Sequence, residues 1–520
     1  MLPSCNSLAV LWKGPFRKTL PVAALFHKNS STTGLFLVFF VLREGKIAQK
    51  KGPMVTTLQQ KTTRTIKIEY ANESVTSFSG LILAERVAKR LRLWNSLEGL
   101  LPVRQGKYSW RDIAKSVTLG LLSGAQGTFA AQGLREDKAL RSMLELESAP
   151  EEATAWRALN KLGRFQKDGL LPKAQALLAR RTLDKMNRSD LFLEGFIPVF
   201  ADGTLLEGSA RREGNKYIAE KGSGLLWNAV FVGRILAAQR LAPEGAGEQS
   251  CVRGMIPEVQ EQVLKKLKLE KKALFLMDSL HGDDATLSLL ESRRLHYVVG
   301  ANKLSRTAKT LAEQPETQWE SRGPCAKFGW SESALCACWI QCAGWKTKRL
   351  LVGRRWKREG EMLWNYSGVI TDLREKDVQK MMTRGWSFAR ALWRLYDAKA
   401  GMETLFCDGL SDLGLHHPPC QEFQRNAGFY ALASLAWTLG TAVDAIGGQS
   451  TARGCATRQD GAPRKQPTPF RMRLWRLRHE LFTLPGRIAR HGHTLTVRLL
   501  GLSDARQTRF GACWENIQRC

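Results

Sequence analysis

Residues Gly195-Phe196-Ile197-Pro198-Val199-Phe200-Ala201-Asp202-Gly203-Thr204 carry an apolar run into an acidic side chain and then a glycine. That profile reads as a buried strand stopping at a turn, where its last side chain, Asp202, meets solvent. Ala273-Leu274-Phe275-Leu276-Met277-Asp278 repeats it, with Gly282 close behind, then the helical pattern Ala285-Thr286-Leu287-Ser288-Leu289-Leu290 and the apolar run Tyr297-Val298-Val299-Gly300. This stretch reads strand, helix, strand, and the expected fold class is α/β. Two more strands are expected after Asp202, of which Leu225-Leu226-Trp227-Asn228-Ala229-Val230-Phe231-Val232 is the clearer. The exposed end of a buried strand is where an active-site carboxylate belongs, so Asp202 and Asp278 are the first candidates.

A third acid, Glu403, lies on an expected helix within Tyr396-Asp397-Ala398-Lys399-Ala400-Gly401-Met402-Glu403. Spacings of four and seven put Lys399 and Tyr396 on its face of that helix. A cation and a phenol beside a carboxylate make a surface that holds a phosphate while the acid holds a metal. The competing reading is a solvated helix face with an ordinary ion pair.

The interval from Asp278 to Glu403 is much longer than that from Asp202 to Asp278, so something is inserted there. Its centre holds two β-like runs, Trp345 to Arg358 and Met362 to Thr371, joined by a turn at Glu359-Gly360-Glu361. Basic and aromatic residues interleave on them. Arg349, Arg354, Arg355 and Trp364 are candidates for DNA backbone contact and for stacking on an unpaired base, as are Trp339, Trp345 and Trp356, against the alternative that these rings pack on a core.

With 79 Lys+Arg against 48 Asp+Glu among 520 residues, the net charge is +31, which calls for a polyanionic partner. A membrane surface is the rival to DNA. Yet the longest apolar run, Leu35 to Leu42, is too short to span a bilayer, and no sustained basic amphipathic helix is evident. Eleven scattered cysteines read as reduced thiols of a cytosolic protein. Cys325, Cys336, Cys338 and Cys342 are four thiols in reach of a zinc reading, but they lack paired C-x2-C knuckles, and Ala334 to Ile340 reads as a strand.

Residues 1–53, with no acid before Glu44, are expected to be a disordered extension, either a targeting segment or upstream sequence read from too early a start codon. Residues 54–189 are expected to form a helical N-terminal DNA-binding region. In it Asp112 opens a helix toward Gly124, and a helix from Pro150 carries Thr154, Trp156, Arg157, Asn160 and Lys161, either for a DNA groove or as the solvated face of a bundle. The catalytic region is expected at 190–310 and 386–446, around a β-rich insertion at 311–385. A helix including Phe429 to Trp437 should pack on the catalytic sheet, followed by a linker at 447–469 and a basic helical C-terminal region at 470–520.

Asp202-Gly203-Thr204, Met277-Asp278-Ser279 and the spacing of Tyr396, Lys399 and Glu403 together resemble the DDE transposases of bacterial insertion sequences, of the class with the signature Tyr-x-x-Arg-x-x-x-Glu-x6-Lys. The resemblance runs from about Val55 to the C-terminus. Two departures stand out. Lys399 replaces the arginine and loses its bidentate fork, and Leu410 stands where the class has its lysine. The resemblance implies a ribonuclease H-like catalytic domain, an antiparallel hairpin followed by parallel strands and helices, with a β-rich insertion. It implies that Asp202, Asp278 and Glu403 hold two Mg2+ ions, for which Mn2+ substitutes, with Asp202 bridging. Double-stranded DNA, as transposon ends and target, is the implied substrate, cut and joined by a homodimer in the bacterial cytosol at the nucleoid. Two alternatives remain: a ribonuclease H-like nuclease without strand transfer, and an inactive or domesticated descendant that binds DNA.

Overall fold

The apolar run ending in Asp202 is a strand, but a longer one than its sequence suggests. In the computed structural model, which describes residues 74–208, 211–218, 222–302, 305–448 and 472–520, β1 spans Ile197–Glu207. Gly203 does not end it. Gly203 to Glu207 pair antiparallel with Asn228 to Gly224 of the neighbouring strand. The glycine serves a close approach, because a Cβ there would lie 2.6 Å from the carboxyl carbon of Glu248. The expected extension at 1–53 lies outside the described residues, as does the expected linker apart from Gly447 and Gly448.

Ten strands make one mixed sheet: β1, β2 (Lys216–Ile218), β3 (Gly222–Val232), β4 (Ile235–Leu241), β5 (Ala273–Met277), β6 (His296–Gly300), β7 (Glu320–Ser321), β8 (Glu332–Ile340), β9 (Arg349–Lys357) and β10 (Asn365–Thr371). One edge of β3 pairs antiparallel with β1 and the other with both β2 and β4. β5 joins β1 in parallel, and β6 joins β5 in parallel. From β6 the sheet continues antiparallel through β10, β9, β8 and β7. The strands of the expected insertion thus extend the same sheet.

Side-chain alternation divides the strands between two cores. Phe196, Phe200, Leu274, Leu276 and Val298 face one, and Ile197, Val199, Ala273, Phe275 and Met277 face the other. Both faces are apolar because helices cover both. Helices Glu248–Val259 and Asp284–Ser292 close the second core. The first belongs to helix Phe423–Gly447, whose Trp437 stacks on Trp227 with ring centroids 5.6 Å apart. That helix is long and apolar enough to cross a bilayer, yet its apolar window is wholly buried inside the protein.

Ahead of the sheet lie helices Ile82–Arg90, Trp110–Ser123 and Glu152–Lys167. Ser109 and Asp112 form a reciprocal capping box on the second, which ends at Gly124 with φ of 107°. Inside this region Lys115 and Glu85 form a buried ion pair at 2.8 Å, and Trp94 Nε1 donates to Glu85 at 3.0 Å. The C-terminal region is not purely helical as expected. Strands Gly486–His491 and Thr494–Leu499 form a hairpin turning at Gly492, which has φ of 56°, before helix Asp504–Arg519. The alternation Thr494-Leu495-Thr496-Val497-Arg498-Leu499 is the period-two pattern behind it.

Where β6 meets β10, Asp372 accepts from Tyr297 N at 2.8 Å and pairs with His296 Nδ1 at 2.8 Å. The hydrogen bond and charge of Asp372 outweigh burial and hold the His296 pKa above its ordinary 6.5. A raised folded pKa gives stability that is fully present below 6.5 and is lost as pH rises through the folded value. Urea unfolding of wild type and His296→Gln should therefore show a larger stability gap at about pH 6 than at about pH 8. An equal gap at both would remove His296 from the junction.

Candidate active site

In the parallel pair of β1 and β5, Phe200 lies opposite Leu276. Asp202 and Asp278, each two residues further on, therefore share one face and one end of the sheet. Carboxylate oxygens of Asp202, Asp278 and Glu248 and a ring nitrogen of His281 all lie within 4.8 Å of one another. No other group of three or more metal-capable side chains converges among the described residues. Asp202 Oδ1 accepts from Gly203 N at 3.0 Å, and Asp278 Oδ1 accepts from Leu280 N at 3.0 Å, capping the turn Ser279–His281. Glu248, the first residue of its helix, accepts from Gly203 N at 3.0 Å and faces His281 Nε2 at 3.2 Å.

Lys399 Nζ donates to Asp202 Oδ2 at 2.9 Å. Burial pulls the ammonium pKa down, but the charge and hydrogen bond of Asp202, with Asp278 and Tyr396 behind, outweigh it and leave it raised. Tyr396 is raised too, by burial first and then by the two aspartates, against Lys399. Its hydroxyl packs on Gly300, where a Cβ would lie 2.7 Å from it.

Of the three expected acids, then, the structure brings Asp202 and Asp278 together, while Glu403 is exposed and stands outside their group. The expected continuous helix is broken. Helix Phe388–Tyr396 passes into a 3-10 turn, Asp397–Ala400, before helix Gly401–Asp412. Four residues at three per turn instead of 3.6 rotate the second helix by roughly 80° relative to the first, so the seven-residue spacing no longer keeps Glu403 on the face of Tyr396. Leu410, at the signature lysine's place, is buried in the first core.

The insertion's basic residues divide. Arg349 is buried against Asp284 and Glu291, both at 2.7 Å, and Arg355, itself buried, pairs with the exposed Glu316, so each charge is taken up by an acid. Arg354 lies 4.0 Å over the Trp393 ring, its Nε has no partner, and burial lowers its pKa. It lines a cavity of about 520 Å³ together with Ser279, Gly300, Ser367, Trp393 and Tyr396, directly beside the Asp278 turn. Trp364 lies 4.3 Å from Arg355 and 4.6 Å from Lys357. Trp345 and Trp356 take cations at 4.8 Å (Arg349) and 5.7 Å (Arg354), and Trp339 is exposed. Cys336 and Cys338 sit buried on β8, the expected strand, and the four cysteines form no metal-capable group. In the N-terminal region, Arg425 lies over the Trp156 ring at 3.4 Å, and Trp156, Arg157 and Lys161 are all exposed.

Sequence reasoning missed Glu248 and His281. Two faint signals were available: a histidine within one turn of Asp278, and an acid opening a helix just after a strand and the turn at Gly245 and Gly247. Neither carries weight without the fold.

A sequence model of the family described as transposase DDE domain, group 1, matches residues 58–520. No curated protein matches. Among solved structures, the chain is similar to a piggyBac transposase synaptic complex with hairpin DNA, determined by cryo-EM. The identity is 10%, over 78% of this chain and 79% of that one, at a TM-score of 0.34, a likeness too slight to build on.

The close packing of Tyr396 is open to test at Gly300. A methyl there would meet Tyr396 Oη and Ser279 N, each at 2.7 Å. Gly300→Ala should destabilise the protein by about 1–3 kcal/mol in urea unfolding. Adding Tyr396→Phe, which removes the hydroxyl, should recover part of that loss; no recovery would place the strain at Ser279 alone.

Proposed function

The chain belongs to the transposase DDE domain family, group 1, and on that premise we propose that it is the transposase of a bacterial insertion sequence, with a ribonuclease H-like catalytic domain. Family membership makes it a DNA-cleaving and strand-transferring enzyme that works with divalent metal. One observation carries the finer reading: Asp202 and Asp278 meet on adjacent parallel strands with Lys399 held on Asp202. The strand order β4-β3-β1-β5-β6, antiparallel among the first three and parallel among the last three, supports the ribonuclease H-like assignment.

In this reading Asp202, Asp278 and Glu403 would hold two divalent ions, Mg2+ or in its place Mn2+, with Asp202 contributing to both. Divalent ions there lower the pKa of an attacking water or 3′-hydroxyl and stabilise the leaving oxygen. The residues present fit such ions, since hard oxygen donors dominate the cluster. Lys399 and Tyr396 present a cation and a phenol to the scissile phosphate, and Arg354 and Trp364 reach DNA from the insertion. Arg349 and Arg355 enter as residues that hold the insertion's strands in place. Glu403 joins only when DNA binding rearranges the Asp397–Ala400 turn. The net charge of +31 supports action on DNA, with two protomers pairing two ends, in the cytosol at the nucleoid.

The position of Glu403 and the buried Leu410 favour one second reading, a descendant that binds DNA without cutting. Labelled transposon ends with Mg2+ and a target plasmid separate the cases. Joined product means a transposase, cut product alone a nuclease, and a mobility shift without cutting the inactive descendant.

In that assay Asp202→Asn, Asp278→Asn and Glu403→Gln should each abolish cleavage and leave end binding unchanged; retained Mg2+-dependent cutting removes that residue from the triad. Lys399→Ala should slow cleavage and lower the salt slope of binding by about one unit. Lys399→Arg should be tolerated, since it restores the fork. A normal cutting rate and an unchanged slope in Lys399→Ala would place Lys399 away from DNA.

A further inference from the structure

Glu248 opens its helix with a carboxyl only 10% exposed, and among the described residues it has no lysine or arginine at ion-pair distance. Its partners are a backbone N–H, that of Gly203, and His281 Nε2. His281 is wholly buried with Nδ1 unpartnered, so the single hydrogen bond of its ring points into the acidic group. Among the described residues Asp278 likewise has no lysine or arginine at ion-pair distance, and Lys399 pairs with Asp202. Two carboxylates without cations therefore stand beside a third. A divalent cation set among them would offset their mutual repulsion. The backbone itself makes room for Glu248, because any side chain at position 203 would overlap its carboxyl.

We propose that Glu248 is a metal ligand of this site, completing with Asp202 and Asp278 a three-carboxylate set that binds one divalent cation before DNA arrives, and that His281 is the positioning residue that aims it. The inference rests on the reading of Asp202 and Asp278 given above. Oxygen donors of this kind suit Mg2+ or Mn2+. Glu403 is not needed for this first ion.

The bland reading makes Glu248 a helix-opening acid that merely accepts from Gly203. Glu248→Gln separates the two, since the amide oxygen keeps that hydrogen bond and loses the charge. The full chain without DNA would be titrated with Mn2+ alone, following free Mn2+ by electron paramagnetic resonance, with melting temperature checked for each variant. Glu248→Gln should weaken Mn2+ binding by at least about tenfold, and His281→Ala by a similar factor. His281→Gln, which keeps an N–H near the Nε2 position, should restore most of the latter. Glu403→Gln should bind Mn2+ like wild type. If Glu248→Gln melts early, Glu248→Asp supplies the comparison: it keeps the charge and should bind Mn2+ more tightly than the Gln variant. Wild-type binding in Glu248→Gln with binding lost in Asp202→Asn would overturn the role of Glu248 and leave the site standing. Wild-type binding in both would overturn the reading of the site itself.

Discussion

A helix buried on every side sets the terms for the rest of this chain. From Asn426 to Gly447 every residue of helix Phe423–Gly447 is buried, so each neighbour must find a small residue to close on. Toward helix Glu152–Lys167 the two backbones touch, since a Cβ on Gly428 would lie 2.3 Å from Leu159 O and one on Gly163 1.9 Å from Gln424 O. At the other end Gly447 leaves room for Cys513 of the C-terminal helix, and Gly440 for Leu122 and Leu474. Toward the sheet, Trp437 lies between Trp227 and the bare backbone of Gly409, which belongs to the helix that carries Glu403. Helical region, sheet and site-bearing helix thereby share one core.

Much of the sheet was legible because buried parallel strands announce themselves as unbroken apolar runs, and those ending in Asp202, Asp278 and Gly300 all formed. Their hydrogen-bonded order was not legible, since pairing is a property of two segments. Gly203 was misleading because a glycine that ends a strand and a glycine that admits a neighbour look alike in one dimension. The C-terminal hairpin was hidden by arginines around it, although Thr494 to Leu499 alternates plainly.

At the site, Asp202 and Asp278 were expected where apolar runs stop, which holds for Asp278 but not for Asp202, whose strand runs on to Glu207, and no helical spacing foretells the contact of Lys399 with Asp202. Helical spacing assumes one kind of helix, and the turn Asp397–Ala400 breaks that assumption between Tyr396 and Glu403. Glu248 reaches the site from a separate segment, and His281, though only three residues from Asp278, gains meaning only once the fold brings Glu248 beside it. The charge of the insertion shows a related limit. Arg349 and Arg355 contribute to a basic composition, yet each meets an acid distant in sequence, so net charge overstates the positive surface available to a polyanion.

The antiparallel seam between β6 and β10 has a mechanical consequence. Val369, Ile370 and Thr371 are paired with Gly300, Val299 and Val298, and Thr371 Oγ1 donates to Tyr297 O at 2.7 Å. From β5, which delivers Asp278, to β9, which carries Arg354, there are three interstrand steps, a backbone span of about 14 Å. Those steps are rungs of one ladder, with no hinge among them. The two backbone positions stand like the fixed jaws of a calliper: the gap between them is gauged by the pitch of a β-sheet, and is resized only by gaining or losing a strand.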